Sequence, residues 1–233
     1  MAWATSTSRE ARPPASARRP ALVGSAPIGL EPARVVCALF KRVLLAVSVA
    51  LALVSCSREA QVSLGPGIRA PLAPLQEALD GVALERDGFQ LSPRARFETT
   101  AKLLSKRRYR WDDLAAVAPW DFAIAWGPLS DEGLLAGTKV LQGNRLMFWH
   151  LYGLRLPRSL VERSSANVHL IAGTASVGER LAAVPVGAIV TLRGRLVDLR
   201  LPDQRVVPTS LSRYDSGVGA CEILLVEQVS WES

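Results

Sequence analysis

Ser165, Asn167 and His169 stand two residues apart. In a β-strand that spacing puts the three side chains on one face, opposite Ala166, Val168 and Leu170. A hydroxyl, an amide and an imidazole in one row can bind a polar ligand or pass a proton. With a carboxylate and a nucleophilic hydroxyl alongside, His169 would complete an acid–base triad. The acids available for it are Asp131 and Asp215, and the hydroxyls are Ser130, Ser165, Ser210 and Ser212. Ser130 lies in Gly127-Pro128-Leu129-Ser130-Asp131, which is not the GxSxG elbow, so a hydrogen-bonded structural histidine is the simpler reading. Metal chemistry has few ligands to draw on: the chain has two histidines, His150 and His169, and no HExxH, CxxC or DxDxDG spacing. Gly217-Val218-Gly219 is a lone GxG between two expected strands, with no helix N-terminus to receive a phosphate. No metal and no cofactor is expected.

Strands must position these residues. Phe97, Thr99, Ala101 and Leu103 alternate with Glu98, Thr100 and Lys102, which predicts a half-buried strand facing solvent at Lys102. Further strands are expected over Arg145–Tyr152, Ser165–Ile171, Ala188–Leu199, Arg205–Ser212 and Glu222–Trp231, and the apolar run from Trp120 to Trp126 should be buried. Gly194 inside a long strand marks a bend or bulge. Short helices are expected over Asp112–Ala118, after Ser130-Asp131-Glu132, and over Gly178–Val184. Without regular β-α alternation, the fold class is mainly β (α+β), a small curved sheet or OB-like barrel with two or three short helices. Lys106 to Trp111 is a basic run with two aromatics, read as a solvated strand end balanced by Asp112 and Asp113.

The stretch Lys41 to Cys56, KRVLLAVSVALALVSC, has a basic start, a short apolar core and a small residue before a cysteine. It is too short for a spanning helix, which takes roughly 20 apolar residues, and has the layout of a secretory signal. Its ending resembles the bacterial lipobox, which implies lipidation of Cys56. Residues 1–34, rich in Ala, Arg, Pro and Ser, read as a disordered extension or as lying before the true start, with 35–55 the signal peptide. Residues 56–80, dense in Pro and Gly, read as a flexible tether after the lipidated Cys56, and the globular domain should occupy 82–233.

The leader also decides the charge and the thiols. The whole chain carries +7, but residues 1–56 hold seven Lys/Arg against two acids, leaving 21 basic and 19 acidic side chains beyond them. A domain so near neutrality has no general pull on a phosphate backbone, so no nucleic-acid partner is expected. Cys37 would leave with the leader and Cys56 would be lipidated. Cys221 then remains as the only thiol of the folded part, read as a small buried hydrophobe.

Three segments, Trp126-Gly127-Pro128-Leu129-Ser130-Asp131, Ser165-Ala166-Asn167-Val168-His169-Leu170, and Ser210 through Glu222, resemble motifs of an uncharacterised family of exported or membrane-associated bacterial proteins. The family patterns run approximately WGPMSD, SANMHLIP and SSLTRDDTGAGACE. This chain has Tyr214 where the pattern has an acid and Ala172 where it has Pro. The resemblance implies no reaction, but it implies that the three segments meet. Trp126, Ser130, Asp131, Asn167, His169, Ser210, Ser212, Arg213 and Asp215 would then form a buried hydrogen-bond network, a ligand site or a catalytic site. The expectation is a lipid-anchored protein of the bacterial cell envelope, facing the periplasm. It is held to the membrane through Cys56 and serves as a non-catalytic binding or structural domain for an envelope protein or small ligand. The alternative is an envelope hydrolase using His169 with an Asp and a Ser.

Overall fold

The computed structural model describes residues 42–43, 60–151, 156–215, 217 and 219–233. Apart from Arg42 and Val43, the expected extension, signal peptide and lipidated Cys56 lie outside the described residues. The chain divides into two units, Met1–Ser57 and Arg58–Ser233, and everything below concerns the second.

The protein is mainly β. In order come β1 (Leu75–Ala78), β2 (Leu84–Arg86), β3 (Phe89–Arg108), β4 (Trp120–Ala125), a 3₁₀ turn (Gly127–Ser130), α1 (Glu132–Leu135), β5 (Thr138–Gly143) and β6 (Leu146–Leu151). They are followed by α2 (Arg158–Arg163), β7 (Ser165–Ala172), α3 (Ala175–Ala183), β8 (Ile189–Arg200), β9 (Val206–Val207) and β10 (Glu222–Glu232). Strand β3 pairs antiparallel with β4 and β8, β4 with β7, and β10 with β8, while β7 and β10 run parallel. The pairing order β3-β4-β7-β10-β8 therefore returns to β3, giving a strongly curved sheet. Strands β5 and β6 form a separate hairpin whose turn residues Asn144 and Arg145 have φ of 50° and 63°.

Alternation sorts the side chains. Phe97, Leu103, Phe122, Val168, Leu170 and Leu192 join one apolar cluster, and Leu91, Leu199, Ile171 and Ile223 join a second. Removing a side chain as enclosed as Leu170 would cost about 2–5 kcal/mol. Gly194 marks a bend, as its type and place predicted: the register of β10 slips between Val226 and Gln228 beside it. A Cβ on Gly194 would meet the Leu225 carbonyl oxygen at 2.0 Å, so no other residue fits there without moving a strand.

Several expectations are corrected. Residues 60–80 are not a free tether. Gln61 bridges Val186, Val62 packs on the core, Ala70 is buried and β1 pairs with β3, so the folded unit begins near residue 60, not 82. Lys102, expected in solvent, is 4% exposed because this strap and α1 cover it. Residues 112–118 turn without forming a helix, since the Asp112 carboxylate takes the Leu114 N–H and Pro119 follows at once. Of Arg205–Ser212 only Val206–Val207 is strand, because Thr209 donates its N–H to Asp198 instead of to a neighbouring strand. The helix expected at Gly178 starts three residues earlier, where the Thr174 hydroxyl accepts the Val177 N–H as N-cap.

Candidate functional site

The nine polar candidates separate into two places. Ser130 and Asp131 belong to a latch that grips the strap. The Ser130 hydroxyl accepts the N–H groups of Arg69 (3.2 Å) and Ala70 (3.0 Å) and donates to the Gly127 carbonyl at 2.7 Å. Asp131 caps α1 by accepting the Gly133 N–H at 2.8 Å, and the same oxygen takes the Gly67 N–H at 2.7 Å. Next to it Glu132 accepts from Ser63 Oγ, the N–H groups of Leu64 and Gly65, and Lys102 Nζ at 2.6 Å. Partial burial pushes the Glu132 carboxyl up, but Lys102, Ser63 and the Leu64 N–H outweigh it and hold it at about 2. Trp126 lies in the core at 3% exposure, with its N–H on the Ser164 carbonyl.

Asn167 and His169 belong to the second place. Both share the face predicted for them, and that face is closed over by the β5–β6 hairpin, so each is 5% exposed. Asp121 of β4 stands directly across the ladder from His169, and His169 Nδ1–H donates to Asp121 Oδ1 at 2.9 Å. Arg145, at the hairpin turn, donates to the same oxygen at 2.6 Å and grips Asp112 with Nε and Nη2 at 3.0 and 2.7 Å. Its guanidinium lies 4.0 Å from the Tyr109 ring centre. Asn167 accepts from Gln142 Nε2 at 2.7 Å and donates to the Arg145 carbonyl at 2.9 Å, with Cys221 Sγ 3.7 Å from its amide.

Cys221 is half-buried and stands beside His169, its Sγ 3.5 Å from the Arg145 carbonyl oxygen. Burial pulls the His169 imidazole down, but its hydrogen bonds to Asp121 and Cys221, with the charges behind them, outweigh burial and lift it to about 9. Behind Cys221, Glu222 is 3% exposed; Arg213 donates to its Oε1 at 2.6 Å, and Oε2 has no partner among the described residues. Burial pushes the Glu222 carboxyl up to about 7 against the pull of Arg213. Arg213 also faces Phe97 and Trp126, 5.4 and 5.7 Å from the ring centres. Ser210 Oγ donates to Asp215 Oδ2 at 2.6 Å, and Ser212 Oγ accepts the Tyr214 N–H at 3.0 Å.

The second and third motif segments thus meet, and the first stands apart except where Arg213 reaches Trp126. His169 has its acid, but that acid is Asp121 and not Asp131 or Asp215. None of Ser130, Ser165, Ser210 or Ser212 is its hydrogen-bond partner; the nucleophilic atom beside it is a sulfur. Asp121, Gln142, Arg145, Cys221 and Glu222 were missed as site residues. Asp121 carried a signal, being the one charge in the apolar run Trp120–Trp126, where a buried carboxylate demands partners.

A cavity of about 240 Å³ opens on this cluster, with Met147, Phe148 and Trp149 on its apolar side and Asn167, Asp215 and Cys221 on its polar side. A larger groove of about 540 Å³ runs along β1, β3 and β8, and two of the three arginines lining it, Arg193 and Arg195, are paired with Glu98 and Glu227 at 2.7 Å each. Among the described residues no three His, Cys, Asp or Glu side chains are placed to hold a metal ion, and no helix is long and apolar enough to cross a membrane. Comparison with protein families, curated proteins and solved structures found no match to the chain.

Proposed function

We propose that this is a lipid-anchored protein of the bacterial cell envelope whose β-rich domain is a binding module, with a small, largely apolar ligand seated in the cavity between β6, β7 and the loop before β10. The observation that carries the reading is the wall itself. Three hairpin residues, Met147, Phe148 and Trp149, line the cavity together with two polar residues drawn from the segments that bear the family resemblance, Asn167 and Asp215. An apolar chamber with a few convergent polar groups is the ordinary form of a ligand pocket. At about 240 Å³ it is smaller than drug-sized pockets, which run roughly 300–1,000 Å³, and suits a short chain or a single ring.

The envelope location rests on the Lys41–Cys56 stretch and its lipobox-like end. Two measurements test the two halves. Cys56→Ala should move the protein from the membrane to the soluble fraction; unchanged membrane association would reject the anchor. Titration with hexanamide, a neutral short-chain amide, should shift the backbone resonances of Ala166, Asn167 and Ala220 saturably. A chain whose resonances there do not respond would reject the binding module.

A further inference from the structure

We propose that Cys221 is an acyl acceptor: its thiolate attacks the carbonyl carbon of a neutral short-chain ester seated in the cavity, and His169 protonates the departing oxygen. The proposal rests on the binding reading above and names the ligand's chemical class. Two side chains meet the sulfur from the buried side. His169 is oriented by Asp121 and stands beside the sulfur, and Asn167 presents its amide N–H₂ 3.7 Å from it, so both can donate to the reacting centre. Cys221 also lines the cavity, where Phe148 and Trp149 can hold an alkyl chain.

The wall also selects the electrophile. Asp215 stands in it, so a phosphate or carboxylate ligand would meet a like charge, whereas an uncharged ester would not. Among the described residues Cys221 is the only cysteine, so no neighbouring thiol is in place to resolve a disulfide there. In the step, the S–C bond forms and the C–O bond of the ester breaks. The proton that had passed from the Cys221 thiol to His169 goes to the leaving alkoxide or phenoxide. The products are an acyl thioester on Cys221 and a free alcohol or phenol, with no oxidant or reductant involved. Glu222, the next residue along, keeps an Oε2 without a partner among the described residues, and its carboxyl senses the charge on His169.

The test uses the full chain with p-nitrophenyl hexanoate and p-nitrophenyl acetate near pH 7. Nitrophenolate release is followed, and the label is located by peptide mass mapping. The proposal expects one acyl group on Cys221, added at least about tenfold faster to the folded chain than to the same chain in urea, and faster from hexanoate than from acetate. His169→Gln should slow labelling by about tenfold or more. Because that variant could lose its fold, the chain-length preference of the unaltered protein stands as the independent measure. An unlabelled Cys221, or labelling no faster than in urea, would overturn the proposal. Hexanamide binding with no acylation would overturn it too while leaving the binding module in place; loss of both would reject the binding module as well.

Discussion

The latch at α1 and the cluster at His169 are built from the same kinds of side chain and differ in how completely those side chains are satisfied. In the latch, Ser130, Asp131 and Glu132 meet backbone N–H groups of the strap or the Lys102 ammonium, and the Glu132 carboxyl falls to about 2. In the cluster, Glu222 has an oxygen without a partner among the described residues and rises to about 7, His169 rises to about 9, and Cys221 lines a cavity. Saturated hydrogen bonding fixes a shape; displaced proton affinities beside a cavity are suited to chemistry. Motif resemblance put both places into one group, and only the bonding pattern separates them.

The sharpest way to break the contrast is Asp121→Ala. It strips the partner from His169 and one of two carboxylates from Arg145, and should cost about 3–5 kcal/mol in urea unfolding, the range for a broken buried pair. Glu132→Gln should cost less, about 2–3 kcal/mol, since its carboxylate is 21% exposed and water can reach it. Its effect should be local: amide exchange should rise at Leu64, Gly65 and Gly67 and stay unchanged in β7 and β10.

The pH dependence separates the two places by sign. Glu132 is depressed from 4.5 to about 2, so its contribution is present above 4.5 and is lost as pH falls from there toward 2. His169 is raised from 6.5 to about 9, so its contribution is full below 6.5 and is lost as pH rises through 9. Glu222, raised from 4.5 to about 7, likewise contributes only on the acid side and loses that as pH rises through 7. Protection of the strap amides against exchange, relative to the unfolded chain at the same pH, should therefore fall in acid and that of Asn167 and His169 in alkali; the same direction at both places would contradict the assignment. The smallest effect is expected of Cys221→Ala, within about 1 kcal/mol by urea unfolding, because Cys221 is half-buried and its contacts with the Arg145 carbonyl and the Asn167 amide are long, 3.5 and 3.7 Å.

Much of the sheet was legible because alternation is a local property. β7 and β10 occur almost where Ser165–Ile171 and Glu222–Trp231 were expected, and Gly194 marked its bend. The strap was not legible, because Gly65, Pro66 and Gly67 look like linker chemistry. The N–H groups of Gly65 and Gly67 find their partners in side chains more than 60 residues away. His169 and Asn167 were found from spacing alone. Their partners were not, since Asp121 meets His169 across a ladder and Arg145 arrives from a hairpin with no periodic mark of its own. Cys221 reads as an ordinary small apolar residue until the parallel pairing of β10 with β7 sets it beside that face.

The proton on His169 is where the contrast between the two places is most directly measured. Imidazole nitrogen resonances of the folded protein, followed from about pH 5 to pH 10, should report a protonated His169 through neutrality with a midpoint near 9. A midpoint at or below the ordinary 6.5 would mean that Asp121 and Cys221 do not act on the ring, and the cluster would then be one more saturated structural network like the latch.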